Sequence, residues 1–105
     1  MKPAPFDYVR ADALGEALDA LHEAGDEARV IAGGQSLVPM LNMRLARPSV
    51  LVDITRVCEL QRIEQRKGQV FVGAAVRQAE LERWAPLAGL LPMIAAMMPW
   101  VGHAQ

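Results

Sequence analysis

The feature that most constrains the fold is a regular alternation of short apolar runs and helical stretches in the first half of the chain. Strand-like runs occupy residues 6–11, 28–32 and 49–54, and helical stretches at 13–24 and 37–43 separate them. An order of strand, helix, strand, helix, strand with short loops predicts a small parallel sheet with helical crossovers. We therefore predict an α/β unit in which strands 28–32 and 50–53 are parallel neighbours.

The first helical stretch carries an apolar stripe that should face this sheet. Leu14, Ala17, Leu18 and Leu21 recur at the i, i+3, i+4 and i+7 spacing of one helix face. The later strand runs are mostly apolar without alternation, which is typical of strands covered on both faces. Because stripe and strands have to cover each other, we predict a first core that consists of Leu14, Leu18, Leu21, Val30, Ile31, Leu51 and Val52.

The pattern changes after residue 57. Two extended runs flank Lys67-Gly68, which predicts a hairpin. Residues 77–84 and 86–102 are helical in pattern, and prolines interrupt the second stretch. We interpret the methionines of that stretch as core side chains, because their spacing is that of a packed helix face: Met93, Met97 and Met98.

Composition excludes several classes of function. Of the 105 residues, 52% are hydrophobic and 22% are charged, and the formal net charge is -1, which gives no basic footprint for nucleic acid. No stretch approaches the roughly 20 apolar residues of a membrane span. Cys58 is the sole cysteine, and we expect its thiol to be buried. The opening residues lack the apolar centre of a signal peptide, so the expected location is cytoplasmic.

The stretch AGGQS, residues 32–36, joins a predicted strand to a predicted helix. Such a loop can present backbone N–H groups to a phosphate, with Ser36 as the expected N-cap of the helix. It lacks the Gly-Lys-Ser/Thr of a Walker loop, and Leu37 stands where the dinucleotide fingerprint needs a third glycine. From spacing alone, a phosphate-binding loop and a plain tight turn both remain possible.

A longer string carries a resemblance. AGGQSLVPMLNMRLARPSVLVDI, residues 32–54, closely resembles the first flavin-binding motif of the medium subunit of molybdenum hydroxylases. That family includes carbon monoxide dehydrogenase, aldehyde oxidoreductases and xanthine dehydrogenases. The similarity continues in PAPFDYVRADALGEAL, in VFVGAAVRQAELE and in the closing LLPMIAAMMPWVGHAQ, so it covers essentially the whole chain.

The resemblance implies an FAD-binding domain of the p-cresol methylhydroxylase type, α/β in class and α+β overall. Residues 1–57 would form its first, parallel subdomain, and residues 58–105 the truncated start of a second, antiparallel α+β subdomain. Carried over by position, the residues that would wrap the FAD pyrophosphate are Val30, Ile31, Ala32, Gly33, Gly34, Gln35, Ser36 and Leu37.

In that family the medium subunit belongs to an oxidoreductase. It takes electrons from an iron–sulfur small subunit and passes them to an external acceptor, while a molybdopterin large subunit oxidises the substrate. The resemblance therefore implies an FAD-dependent subunit with no catalytic side chain and no metal ligand of its own. Glu80 and Glu82 are interpreted as a solvated helix face.

One departure from the family concerns its second flavin loop. A segment of the type Arg-Asn-x-Gly-Thr-Ile-Gly-Gly follows the residues that match 101–105, and this sequence does not contain it. We therefore expect an N-terminal fragment that is inactive by itself. The alternatives are a remnant without cofactor, which at most binds partner subunits through apolar surface, and a stand-alone nucleotide-binding module.

Overall fold

The computed structural model describes residues 1–101, and residues 102–105, at the end of the expected second subdomain, lie outside them. The first part of the chain contains β1 Asp7–Arg10, α1 Leu14–Ala24, β2 Ala28–Ile31, α2 Leu37–Asn42 and β3 Val50–Asp53. The second part contains β4 Ile63–Arg66, β5 Gln69–Val72, α3 Gln78–Arg83, α4 Leu87–Leu90 and α5 Pro92–Met97. Single 3-10 turns lie at Gly25–Glu27, Cys58–Leu60 and Met98–Trp100. Within residues 1–101, no helix has the length and apolar character that a membrane span requires.

The first sheet is parallel, with the strand order β1-β3-β2. Val52 of β3 pairs with Val9 of β1 on one side and with Val30 of β2 on the other. The predicted parallel pairing of the second and third strands is confirmed, and with it the α/β character of this part. All three strands end at the same edge of the sheet, which we call the carboxyl edge.

The core of the first part lies between α1 and the centre of the sheet. Ala17 of α1, Val52 of β3 and Val57 are at most 2% exposed and pack in one cluster. Leu14 and Leu21 pack against this cluster while remaining partly exposed, as the predicted stripe requires. Leu51 is buried on the opposite face of β3, because side chains alternate along a strand.

The core prediction is wrong for two residues. Leu18 is 57% exposed, because α1 turns Ala17 towards the sheet and the next side chain points about 100° away. Val30 is 43% exposed because it belongs to the outer strand β2. One helix about 10 Å across cannot cover three strands that are spaced about 4.8 Å apart. Ile31, in the same strand, is half-buried.

The second sheet is the predicted hairpin. Strands β4 and β5 pair in antiparallel fashion, with Arg66 opposite Gln69 at the turn. Lys67 and Gly68 have φ angles of 47° and 77°, and two positive values in succession are what a two-residue type I′ turn needs. Glycine reaches this region without strain, which explains its position in the turn.

The helices after the hairpin leave much apolar surface uncovered. Met98 is buried, but Met93 and Met97 are 81% and 50% exposed, so the core interpretation is wrong for these two. They lie one turn apart on α5, which has only six residues and begins with Pro92. Nothing in residues 1–101 covers that face. Cys58 is exposed as well, contrary to expectation, because it opens a surface 3-10 turn.

Truncation of a buried leucine, Leu51, should destabilise the protein far more than truncation of an exposed one, Leu18. Leu51→Ala should lower the free energy of unfolding by about 2–5 kcal/mol, since the side chain is 1% exposed and its loss leaves a cavity. The matched change Leu18→Ala should alter it by less than about 0.5 kcal/mol. Urea melts followed by circular dichroism measure both, and equal losses would contradict the orientation of α1.

Candidate functional site

The predicted binding segment lies where β2 ends and α2 begins. Val30 and Ile31 close β2, residues 32–36 form the loop, and Leu37 opens α2. The loop is exposed at every residue except Gly34, which is half-buried. The segment therefore lies at the carboxyl edge, where open α/β sheets usually bind their ligands.

Gly34 is required by the fold itself. Its φ is +74°, and a Cβ at this position would lie 2.9 Å from Cγ2 of Val38 and 3.5 Å from Cδ1 of Ile31. Its carbonyl also accepts the N–H of Val38 at 2.9 Å, the first hydrogen bond at the start of α2. A side chain at position 34 would strain the loop and displace its neighbours whether or not a ligand binds.

Gly33 differs from its neighbour. A Cβ at Gly33 would meet no atom within 4 Å, and its φ lies outside the left-handed region. Contacts among residues 1–101 therefore do not explain a glycine here. The open space beside its Cα is room in which another molecule can approach the backbone closely.

The N–H groups of residues 33–37, which we call the loop amides, have no hydrogen-bond acceptor among residues 1–101. Ser36 directly precedes α2, but its expected capping role is wrong. Its backbone is helical, with φ -98° and ψ -40°, and its side chain makes no capping bond. A capping residue normally has extended backbone, which directs its oxygen at the first turn. Both the hydroxyl of Ser36 and the loop amides are therefore available to a ligand.

This arrangement suits a phosphate group. Several unbonded N–H groups beside open space provide donors for an anion that has many acceptor oxygens. The loop carries no lysine or arginine, so binding would depend on backbone dipoles and on the exposed side chains of Gln35 and Ser36. In the described part of the chain, no group of three His, Cys, Asp or Glu residues is placed to hold a metal ion. The residues present fit a pyrophosphate.

A buried carboxylate beside this segment was missed by sequence reasoning. Asp53 is 9% exposed at the end of β3, directly opposite Ile31 in the ladder. Its Oδ2 accepts the hydroxyl of Tyr8, and its Oδ1 accepts the N–H and hydroxyl of Thr55 at 2.8 and 2.7 Å. The signal that could have revealed it is Asp-Ile-Thr at a strand end, since Asp favours turns that bond to the backbone two residues on.

Asp53 is charged despite its burial. Burial raises the pKa of this carboxyl, but hydrogen bonds from Tyr8 and Thr55, helped by the charge of Arg10, outweigh that effect. The pKa therefore lies below its ordinary value of 3.8. The same hydrogen bond raises the pKa of Tyr8, because the carboxylate holds the phenol proton, while Arg10 and Arg56 act in the opposite direction.

The sequence is similar to FAD-binding proteins of one family over nearly its whole length. Residues 4–105 match the family described as the FAD binding domain in molybdopterin dehydrogenase. The alpha subunit of the 6-hydroxypseudooxynicotine dehydrogenase complex of Paenarthrobacter nicotinovorans is 46% identical over 105 residues, 100% of this chain and 36% of that protein. The carbon monoxide dehydrogenase medium chain of Hydrogenophaga pseudoflava is 36% identical over 105 residues, 100% of this chain and 37% of that protein.

The fold agrees with these similarities. A chain of the crystal structure of Cu,Mo-CO dehydrogenase in its cyanide-inactivated form superposes with a TM-score of 0.93 at 35% identity. The superposition covers 100% of this chain and 37% of that chain. The chain therefore spans just over a third of the length of the relatives that it matches.

The two loop glycines should differ in what they contribute to stability. Gly34→Ala should destabilise the protein by about 1–2 kcal/mol, because an L-residue is strained at its φ of +74°. Gly33→Ala should change the free energy of unfolding by less than about 0.5 kcal/mol, since its Cβ enters open space. Thermal and urea melts of the pair measure the difference, and equal losses would show that Gly33 also has a structural role.

Asp53 should make the protein less stable in acid. Its pKa is lower in the folded than in the unfolded chain, where it is about 3.8, so its contribution is complete above that value. The contribution is lost as the pH falls through the folded pKa. Asp53→Asn should cost about 1–3 kcal/mol at neutral pH and reduce this acid-dependent loss. Urea melts from about pH 7 to about pH 2 test this, with exposed Asp19→Asn as the control; identical pH profiles would contradict it.

Proposed function

Because the chain belongs to the family of FAD-binding domains of molybdopterin dehydrogenases, we propose that it supplies the pyrophosphate loop of the flavin site in a molybdenum hydroxylase. FAD is the cofactor of this family. The observation that carries the proposal is the set of loop amides without acceptors beside the open space at Gly33. Free N–H groups occur at the start of every helix, so the open space at Gly33 is the feature that a plain tight turn would not need.

Each part of the segment has a role in this proposal. The end of β2 sets the direction of the loop, and Ala32 and Gly33 let the phosphates approach the backbone. The loop amides and the exposed side chains of Gln35 and Ser36 donate hydrogen bonds to phosphate oxygens. The proposed cofactor-binding residues are thus Val30, Ile31, Ala32, Gly33, Gly34, Gln35, Ser36 and Leu37.

We propose that the complete subunit relays electrons. Bound FAD supplies hydride and single-electron transfer at its ring system. The residues of this chain bind and orient the cofactor, and we assign no acid or base to the loop. The proposed partners are an iron–sulfur small subunit and a molybdopterin large subunit in the cytoplasm. The relatives support this, since one is named as a subunit of a dehydrogenase complex and another as a medium chain.

We further propose that the flavin site needs more polypeptide than these 105 residues. The relatives are much longer, as the chain covers 36% and 37% of two of them. In this proposal residues 1–57 form the first FAD-binding subdomain and residues 58–105 begin the second. The second flavin loop of the family would come from the segment that follows. The 105-residue chain by itself should then bind FAD weakly and lack activity.

Substitution at Gly33 tests the proposal more cleanly than substitution at Gly34, because position 33 carries no structural demand. The test protein is a fusion of residues 1–105 with the remaining part of a relative's medium chain. Gly33→Ala should weaken FAD binding by about tenfold, about 1.4 kcal/mol, by placing a methyl group against the phosphates. Quenching of FAD fluorescence measures the affinity.

The matched control is Gly89→Ala, which also meets no atom within 4 Å but lies in α4. It should leave FAD affinity unchanged. Unchanged affinity in Gly33→Ala as well would mean that the loop is only a turn. Tight FAD binding by the 105-residue chain alone would refute the need for a second loop.

The second candidate function is a cofactor-free module that binds partner subunits. The exposed apolar side chains of the second part favour it: Met93 is 81% exposed and Trp100 is 86% exposed. Visible absorption of the purified fusion protein separates the two proposals. A protein purified with bound flavin is yellow, whereas a cofactor-free module has no band in the visible range.

A further inference from the structure

We propose that Asp53 is a positioning residue for the loop of residues 32–36. Its carboxylate holds the end of β3 in place, and β3 is hydrogen-bonded to Ile31 at the end of β2. The side chain of Ile31 in turn contacts the position of Gly34, which lies among the loop amides. The importance of this for FAD rests on the proposed function, but the positioning itself is a property of the chain that can be measured without the cofactor.

The first step is the set of contacts at the carboxylate. Tyr8, in β1, donates to Oδ2, while Thr55, in the turn after β3, donates twice to Oδ1. The carbonyl of Thr55 accepts Nε2 of Gln61 at 2.6 Å, which continues the network towards the hairpin. One buried carboxylate therefore joins β1, the turn after β3 and the segment that leads to the second sheet.

The second step leads from β3 to β2. The N–H of Ala11 donates to the carbonyl of Asp53 at 3.0 Å, and the N–H of Ile54 donates to the carbonyl of Ile31 at 3.1 Å. These bonds are the last ones of the sheet at the carboxyl edge. In the described chain β2 pairs with β3 alone, so the position of Ile31 depends on the end of β3.

The third step leads from β2 to the loop. Cδ1 of Ile31 lies 3.5 Å and its Cγ1 3.8 Å from the point where a Cβ of Gly34 would be. The side chain of Ile31 thus lies directly beneath Gly34, whose carbonyl accepts the N–H of Val38. A shift of Ile31 would move Gly34 and change the direction of the loop amides.

The three hydrogen bonds, in the directions observed, need a carboxylate, because an amide has only one accepting oxygen. Three donors converge on two oxygens, and each oxygen of an ionised Asp accepts. Asn has one accepting oxygen and an NH₂ group that only donates. Asp53→Asn therefore either leaves Thr55 without its acceptor or reverses the bond to Tyr8, whose hydroxyl can also accept, and it removes the negative charge at unchanged side-chain size.

Tyr8 makes the contact measurable, because it is the sole tyrosine of the chain. Phenolate absorbance as a function of pH therefore reports Tyr8 alone. In Asp53→Asn the pKa of Tyr8 should fall towards its ordinary value, with Arg10 and Arg56 still nearby. An unmoved titration would overturn the proposal at its first step.

Amide hydrogen exchange of the 105-residue chain, without FAD, tests the steps that follow. In Asp53→Asn the N–H groups of Ile54 and Val38 should exchange about tenfold faster, while those inside α1 keep their rates. Equal acceleration at all sites would mean a general structural role and would overturn the proposal. Faster exchange at the N–H of Ile54 with an unchanged rate at Val38 would show that the effect does not reach the loop, and would also overturn the proposal.

Two further variants keep the test decisive. Tyr8→Phe removes one donor but retains the carboxylate and the Thr55 bonds, so the N–H groups of Ala11 and Ile54 should exchange faster while those inside α1 keep their rates. If Asp53→Asn fails to fold, unchanged exchange at Ala11 and Ile54 in Tyr8→Phe would overturn the proposal. Asp19→Asn, the same change on the exposed side of α1, should leave titration and exchange unchanged. Since none of these measurements involves FAD, failure of the proposed flavin site would leave their outcome interpretable, and the reverse also holds.

Discussion

Both outer strands of the parallel sheet are hydrogen-bonded to one strand, β3, and not to each other. The side chains of β3 are consequently the best covered ones of the sheet, with Leu51 and Val52 at most 1% exposed on opposite faces. The single helix α1 is wide enough to cover the centre but not both edges. The arrangement concentrates the stability of the first part in four residues of β3, from Val50 to Asp53, and leaves β1 and β2 dependent on them.

A charge at the end of such a strand is costly unless it is fully bonded. Asp53 meets this condition through partners that lie far from it as well as near it in sequence: Tyr8 is 45 positions away and Thr55 is two positions away. The distant partner can reach the carboxylate only when β1 has paired with β3. The near partner closes the turn that leads away from the sheet. The same carboxylate therefore connects the pairing of β1 with β3 to the turn at the carboxyl edge of the sheet.

Much of this architecture could be predicted, because local patterns and packing favour the same elements. The alternation of runs located all three parallel strands, and Lys67-Gly68 located the hairpin turn. The core predictions that failed concern residues whose burial depends on helix rotation and strand order, which the sequence pattern does not specify. Nothing local distinguishes Leu18 from Leu14 until the rotation of α1 is known, and Val30 resembles Val52 until the strand order places one at an edge. The side chain of Asp53 was missed because one of its partners, Tyr8, is remote in sequence, and Ser36 was misassigned because capping depends on a backbone angle.

The different origins of the two loop glycines have a consequence for evolution in this family. Selection for folding alone maintains Gly34, since its φ of +74° and its closeness to Val38 penalise any side chain. If the proposed function holds, only selection for a close ligand maintains Gly33, because no atom of residues 1–101 lies within 4 Å of a Cβ there. A lineage that lost its cofactor would be free to drift at position 33 while it retained glycine at position 34. Loss of glycine at position 33, with glycine retained at position 34, would therefore identify descendants whose flavin site no longer binds FAD.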